Sequence, residues 1–284
     1  MHIVKNILLE GSFGKPIPTD IFYLHTERSK PVVIYSHGFN GFKDWGNFDL
    51  IAEQFASAGF VFIKFNFSHN GTTPEHPEAF VDMEAYANNN YTTELEELGA
   101  VINWALSEGH EHAGQIDKEK LFLIGHSLGG GISILKAAED SRVKEVATWA
   151  SIHKCKTPWG GWPTDRIVEW KEKGVTYTTN SRTKQELPLN YQLYEDYQNN
   201  KERLNIQDAL KKLDIPLLFC HGIDDTSVPV EKAYTLHRWH PSAELFLVPS
   251  DHVFGRKHPW TENHLPKAMQ EVVEHTIEFF NNPA

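Results

Sequence analysis

Short apolar runs alternate with stretches of helical periodicity along most of this chain. Val32–Tyr35, Phe60–Phe67, Leu121–Ile124, Val143–Ile152, Pro216–Cys220 and Glu244–Val248 read as strands. The β-branched run at Val32 is what a strand covered on both faces needs, as in a parallel sheet. Between them, Asn47–Gly59 sets Phe48, Ile51, Ala52 and Phe55 on one face and closes in Gly59, a residue suited to C′. Thr92 or Thr93 can cap a helix running to about Leu106, with Leu95, Leu98 and Ile102 on its buried face and Gly109 ending it. Ile132–Ala138, Pro229–Trp239 and Leu265–Phe280 carry further helical patterns. Ahead of these, His2–Glu10 and Asp20–His25 flank Gly11, Gly14, Pro16 and Pro18, which predicts an antiparallel opening hairpin. Ser68–Asn90 is a polar loop rich in His, Pro and Asn. Strict alternation of strand and helix predicts an α/β fold, a doubly wound and mostly parallel sheet with helices on both faces.

The alternation breaks between His153 and Leu210. This stretch holds Trp159, Trp162, Trp170, Tyr177, Tyr191, Tyr194 and Tyr197 among polar residues. A structureless loop of that length is unusual in a compact domain, so 153–210 is expected to form a cap with helices of its own, at Thr164–Lys173 and Tyr191–Asn199. The core is then 1–152 together with 211–284.

Composition narrows the function. The 284 residues carry a formal net charge of −11, which repels nucleic acid and anionic membrane surfaces. Cys155 and Cys220 are the only cysteines, too few for a disulfide framework and without metal-ligand spacing. Met1–Gly14 lacks the apolar core of a signal peptide, and no run is long enough to span a bilayer, so a cytoplasmic protein is expected. The sequence leaves room for a homodimer.

The chemistry centres on Lys120–Gly131, KLFLIGHSLGGG. An apolar strand runs without a spacer into Gly125-His126-Ser127-Leu128-Gly129 and then into a helix, so a serine sits at the apex of a tight turn. The backbone doubles back there, and a Cβ at Gly125 or Gly129 would clash with the strand or helix beside it. A serine hydroxyl is a weak nucleophile near neutral pH and needs a base, which in turn needs a carboxylate to hold its tautomer. Two later strands run straight into such groups: Leu217–Cys220 into His221-Gly222-Ile223-Asp224-Asp225, and Leu245–Val248 into Asp251-His252-Val253-Phe254. Groups at the carboxyl ends of strands converge on one sheet edge. Asp224 or Asp225, and His252 or His258, are the candidates.

On these motifs the chain resembles the α/β-hydrolase-fold serine hydrolases over nearly its whole length outside the cap. The resemblance implies that Gly222–Pro229 matches the family's Gly-x-x-Asp-x-x-Val-Pro, making Asp225 the acid, and that Asp251-His252-Val253-Phe254 makes His252 the base. Its His-Gly-Phe motif matches His37-Gly38-Phe39, so the Phe39 N–H would join the Leu128 N–H as an oxyanion donor. His-Gly-Phe followed by Phe42-Lys43, together with the aromatic cap, is most similar to bacterial cinnamoyl and feruloyl esterases. What this implies is a serine esterase of short-chain or hydroxycinnamoyl esters, with no metal or organic cofactor and a small-molecule substrate.

Other clusters carry less. His37 and His126 read as structural neighbours of the loop and the turn. His110-Glu111-His112 lacks the i, i+4 spacing of a zinc site and reads as solvated. Ser68-His69-Asn70-Gly71 is a pocket rim or a plain turn. Trp159, Trp162, Tyr191 and Tyr194 are the candidates to line an apolar acyl or aryl pocket under the cap. An acylaminoacyl or dipeptidyl-type peptidase, a thioesterase or lactonase, and a catalytically dead binding module are the alternatives. The last is disfavoured because Ser127, Asp225 and His252 are all present.

Overall fold

The structure, a computed structural model, describes residues 1–46 and 48–282. In chain order its elements are β1 (His2–Glu10), β2 (Pro16–Tyr23), β3 (Lys30–Ser36), α1 (Phe48–Ser57), β4 (Val61–Phe65), α2 (Met83–Ala87), α3 (Tyr91–Ala105), β5 (Ile116–His126), α4 (Leu128–Glu139) and β6 (Val143–Trp149). There follow α5 (Thr164–Lys173), β7 (Val175–Thr179), β8 (Glu186–Asn190), α6 (Gln192–Asn199), α7 (Ile206–Leu210), β9 (Leu217–Gly222), α8 (Glu231–Trp239), β10 (Glu244–Val248) and α9 (Lys267–Asn281). Asn47, where the first helix was expected to start, lies outside the described residues. Eight strands form one sheet in the order β1-β2-β4-β3-β5-β6-β9-β10, antiparallel at β1, β2 and β4 and parallel from there on.

Period-two alternation distributes the strand side chains between the faces. Val32 and Ile34 of β3, with Leu121 and Leu123 of β5, pack on the α3–α4 side. Val33, Tyr35, Phe122 and Ile124 point the other way, onto α1 and α9. The doubly wound sheet is therefore as expected.

Local chemistry explains the departures. β2 begins at Pro16, so Pro16 and Pro18 lie within a strand. β4 pairs only with Thr19–Phe22, so the missing proline N–H groups cost no ladder bond on that side. The N-cap of α3 is Asn90, not Thr92 or Thr93; its Oδ1 accepts from the Thr93 N–H at 2.8 Å. The loop after β4 contains α2, capped by Asp82. Within 153–210, helices stand at Thr164–Lys173 and Gln192–Asn199, but β7 and β8 add an antiparallel hairpin that polar, Pro-containing sequence concealed. His112 is buried, with Nδ1 3.1 Å from the Tyr23 hydroxyl, and the half-buried His110 stacks on Trp104, so of His110-Glu111-His112 only Glu111 is fully exposed. Cys155 and Cys220 are both buried and unpaired with each other. Among the described residues no helix is long and apolar enough to cross a membrane.

One buried ionic network ties the sheet to the loop after β3. Asp20, Lys43 and Lys64 are almost wholly inaccessible. Lys43 Nζ lies 2.7 Å from Asp20 and 2.6 Å from Asp44, and Lys64 Nζ contacts Asp44, Asp20 at 3.1 Å and Asp49 at 2.8 Å. The Asp20, Asp44 and Asp49 carboxylates converge closely enough to suit a cation. The two ammonium groups fill that role. Burial alone would lower the Lys64 pKa, but the three carboxylates hold it above its ordinary value.

Deleting one partner of a buried ion pair leaves the others uncompensated. Lys64→Met is therefore expected to cost about 3–5 kcal/mol, read as a lowered urea midpoint; a change of a few tenths would show that the network contributes little.

Candidate active site

Ser127 stands between β5 and α4 with φ 54° and ψ −116°, a conformation that costs about 1–3 kcal/mol for a residue with a Cβ. Packing enforces it. A Cβ on Gly125 would lie 2.1 Å from the Gly129 carbonyl oxygen, and one on Gly129 would lie 2.3 Å from that of Ser36. The Ser127 N–H donates to the Trp149 carbonyl at 2.9 Å, and the Ser127 carbonyl accepts from Ile152 at 3.2 Å, which pins the turn to the end of β6.

The loops after β9 and β10 are in backbone contact, the Asp224 N–H donating to the Ser250 carbonyl at 3.0 Å. That contact sets Asp225 against His252. Asp225 Oδ1 accepts from the Ser227 and Val228 N–H groups, each at 2.8 Å, and Oδ2 lies 2.7 Å from His252 Nδ1. His221 Nε2 is 3.3 Å from the same Oδ2 and donates to the Val228 carbonyl. Burial would raise the Asp225 pKa; the hydrogen bonds from His221 and His252 outweigh it and hold the carboxyl well below the usual range. Asp224 is exposed, and among the described residues it is Asp225 that pairs with His252. His258 accepts from the Gly46 N–H and packs on Phe42 and Trp45, away from Asp225.

His126 links the serine turn to His252. Its Nε2 lies 2.9 Å from the His252 carbonyl, and the two rings are 4.8 Å apart. Burial, then the neighbouring His252, keeps His126 neutral. Among the described residues the Ser127 hydroxyl makes no hydrogen bond; such contacts commonly form only once substrate is in place.

The loop after β3 turns sharply at Gly38–Gly41, with a 2.9 Å bond from the Gly41 N–H to the Gly38 carbonyl and Asn40 at φ 58°. A Cβ on Gly38 would come within 2.9 Å of Ser127 Cβ, so this turn lies directly on the serine. His37 holds it from beneath. Nδ1 donates to the Gly38 carbonyl at 2.9 Å and Nε2 accepts from the Phe67 N–H at 3.2 Å; burial lowers its pKa to about 4. The Leu128 N–H, first in α4, has no helical partner. Neither it nor the Phe39 N–H enters the loop and turn bonding.

Two cavities flank Ser127 and share the wall His37–Asn40. The narrower, about 20 Å³, is bordered by Leu128, Leu189 and Leu193 and also by Asn70, Asn89, Asn90 and Glu94. The wider, about 180 Å³, is bordered by His126 and His252. It also holds Arg256, whose buried guanidinium lies 4.5 Å from the centre of the Phe48 ring and whose Nε donates to the Val253 carbonyl.

A family model described as alpha/beta hydrolase fold matches residues 31–173, half of the chain. The chain belongs to the α/β-hydrolase fold family. Solved structures similar to this hydrolase include Est1E from Butyrivibrio proteoclasticus (17% identity, TM-score 0.67, 98% of each chain), a protein also solved with ferulic acid bound. Another is the esterase domain of a Rhodothermus marinus protein (18%, 0.66, 100% of this chain and 99% of that one). A third is GrgF from Penicillium sp. sh18, with 17% identity, TM-score 0.69, and 99% and 98% coverage. At these identities the likeness is one of fold. By sequence, the quorum-quenching protein AidA of Acinetobacter baumannii is 26% identical over 121 residues, 43% of this chain and 35% of that protein. An uncharacterised Escherichia coli protein is 32% identical over 118 residues, 42% of this chain and 36% of its own length. The matched stretch thus spans about a third of these curated relatives.

The aromatics of 153–210 are a correction. Trp159, Trp162, Tyr191 and Tyr194 border neither cavity beside Ser127. They stack on one another and on Trp170, because such rings bury more surface against each other than a small insertion could otherwise supply. Trp159 reaches the narrower cavity only through Tyr91, whose hydroxyl accepts its Nε1–H at 3.0 Å. The lining residues that sequence reasoning missed are Tyr86, Asn89, Tyr91 and Glu94. Their one signal is a polar, capped helix start next to the loop after β4. Of Ser68–Gly71, Asn70 borders the narrower cavity, as one of the two readings held.

Because the folded-state pKa of Asp225 lies below its unfolded value of about 3.9, its stabilising contribution is complete above that pH and is lost as pH falls through the folded value. The urea-midpoint gap between wild type and Asp225→Asn is expected to be largest near neutral pH and to close below about pH 4. A gap that stays constant down to pH 3 would contradict the assignment.

Proposed function

We propose that this α/β hydrolase cleaves carboxylic esters through a Ser127–His252–Asp225 triad and an acyl-enzyme. Ser127 Oγ attacks the ester carbonyl while His252 Nε2 takes its proton. Asp225, bonded to the opposite ring nitrogen, fixes the tautomer and stabilises the imidazolium that forms. The Phe39 and Leu128 N–H groups receive the oxyanion, and His252 then protonates the departing alkoxide. Water repeats the sequence on the acyl-enzyme. The observation that carries this reading is the 2.7 Å Asp225–His252 pair at the strand ends beside a serine held in a strained turn. The esterase named in the Rhodothermus marinus structure and the ferulic acid named with Est1E agree with it. Thioesters and lactones would use the same residues.

Ser127→Ala is expected to abolish hydrolysis of para-nitrophenyl esters, with methyl ferulate and an aminoacyl anilide assayed alongside, while leaving the urea midpoint near that of wild type. Asp225→Asn should lower kcat by roughly 10³–10⁴ through loss of the correct tautomer, and Asp224→Asn should have little effect. Substantial ester turnover by Ser127→Ala would remove the serine from the mechanism; anilide cleavage without ester preference would move the protein to peptidase chemistry.

A further inference from the structure

The turn that lies on Ser127 has its apex at Phe39 and Asn40, and one side chain from a distant part of the sequence is bonded there. The Tyr86 hydroxyl, carried by α2, donates to Asn40 Oδ1. Among the described residues no other group is hydrogen-bonded to Phe39 or Asn40. Asn40 stands at φ 58°, in the left-handed region that asparagine tolerates better than most residues but that persists only where the surroundings hold it. The glycines on either side have partners of their own. The Gly38 carbonyl is bonded by His37 Nδ1 and by the Gly41 N–H, and the Gly41 carbonyl accepts from Asn70 Nδ2 at 3.2 Å. The apex is left to Tyr86.

Tyr86 is itself closely seated. It is 4% exposed, with ring centres 5.8 Å from Phe80 and 6.2 Å from Phe39. Gly71, at φ 91°, makes room for the ring, since a Cβ there would come within 3.0 Å of Tyr86 Cδ2. The Gly71 carbonyl accepts from the Val81 and Asp82 N–H groups at 2.8 and 3.0 Å, and Asp82 Oδ1 caps α2 by accepting from the Ala85 N–H at 3.0 Å. Burial pushes the Tyr86 phenol above its ordinary pKa, so its hydroxyl remains a donor throughout the neutral range. We propose that Tyr86 is a positioning residue for the oxyanion site: through Asn40 it keeps the Phe39 N–H aimed at the charge that develops on the attacked carbonyl. The inference rests on the ester-hydrolase reading. An oxyanion donor is effective when it is already in place as the charge forms, so a small displacement of the apex costs rate without weakening the binding of substrate.

Tyr86→Phe removes the hydroxyl and keeps the ring; Asn40→Gly removes the acceptor and still allows the left-handed backbone. With para-nitrophenyl butyrate, Tyr86→Phe is expected to lower kcat and kcat/KM together by roughly tenfold with KM near that of wild type, short of the roughly 10²–10³-fold lost with a whole oxyanion donor. An aryl trifluoromethyl ketone reports on the same charge: Ser127 Oγ adds to its carbonyl carbon, the serine proton passes to His252, and the carbonyl oxygen becomes the oxyanion. Its inhibition constant should rise by about the factor by which kcat falls. The double variant should be no slower than Asn40→Gly alone, because both changes break one bond. If Tyr86→Phe does not fold, Asn40→Gly carries the test and must show the same loss of kcat at constant KM. A wild-type kcat in the variant, an effect on KM alone, an unchanged inhibition constant, or losses that multiply in the double variant would overturn the positioning role and leave the esterase standing. No Ser127-dependent turnover of any ester by wild type would overturn the esterase reading and this inference with it.

Discussion

The backbone at Ser127 is the constraint on which the rest of the site depends. A left-handed φ at a residue with a Cβ is unfavourable, and it persists because three pieces of main chain meet with no room for side chains. Gly125 approaches the start of α4, Gly129 approaches the end of β3, and Gly38 lies against the serine itself. The parallel sheet makes this approach possible by ending β3 and β5 side by side, with Ser36 opposite Gly125 in register. The serine turn and the loop after β3 are thus one packed unit, and the Leu128 and Phe39 amides come with it.

The loop after β3 needs its own support, which arrives from two directions. Beneath the turn, a neutral His37 bonds the Gly38 carbonyl and the Phe67 amide, joining the loop to the end of β4. Farther along, Lys43 enters the buried network with Asp20 and Lys64, and its backbone N–H donates to Asn66 Oδ1 at 2.6 Å. Charges removed from water are expensive unless paired. Here they are paired across β2, β4, α1 and the loop, so displacing the loop would also break ion pairs in the sheet.

What the sequence disclosed follows from how local each signal is. The serine turn was legible because its requirement is steric and confined to Gly125–Gly129. The sheet was legible because β-branched runs and amphipathic helices alternate over most of the chain. Asp225 and Asp224 could not be separated by spacing alone, and the family pattern favoured the residue that faces His252. The aromatics of 153–210 misled because composition does not distinguish rings that stack on each other from rings that face a ligand. Lys43 was visible only as part of a family motif, and Lys64 within an apolar strand gave no sign of its three carboxylate partners. Glu94 carries no signal of its own in the sequence. Asn89, Tyr86, Leu189 and Leu193 join it around one cavity, and tertiary packing alone brings them there.

The chemistry of the site turns on whether Ser127 is a nucleophile activated by His252. Labelling the intact protein with a fluorophosphonate, which captures activated serines, and locating the adduct by peptide mass spectrometry tests this directly. One adduct is expected, on the peptide containing Ser127, formed roughly 10³-fold more slowly or worse in His252→Ala. An adduct on another residue, no adduct at all, or labelling of Ser127 at an unchanged rate in His252→Ala would contradict it.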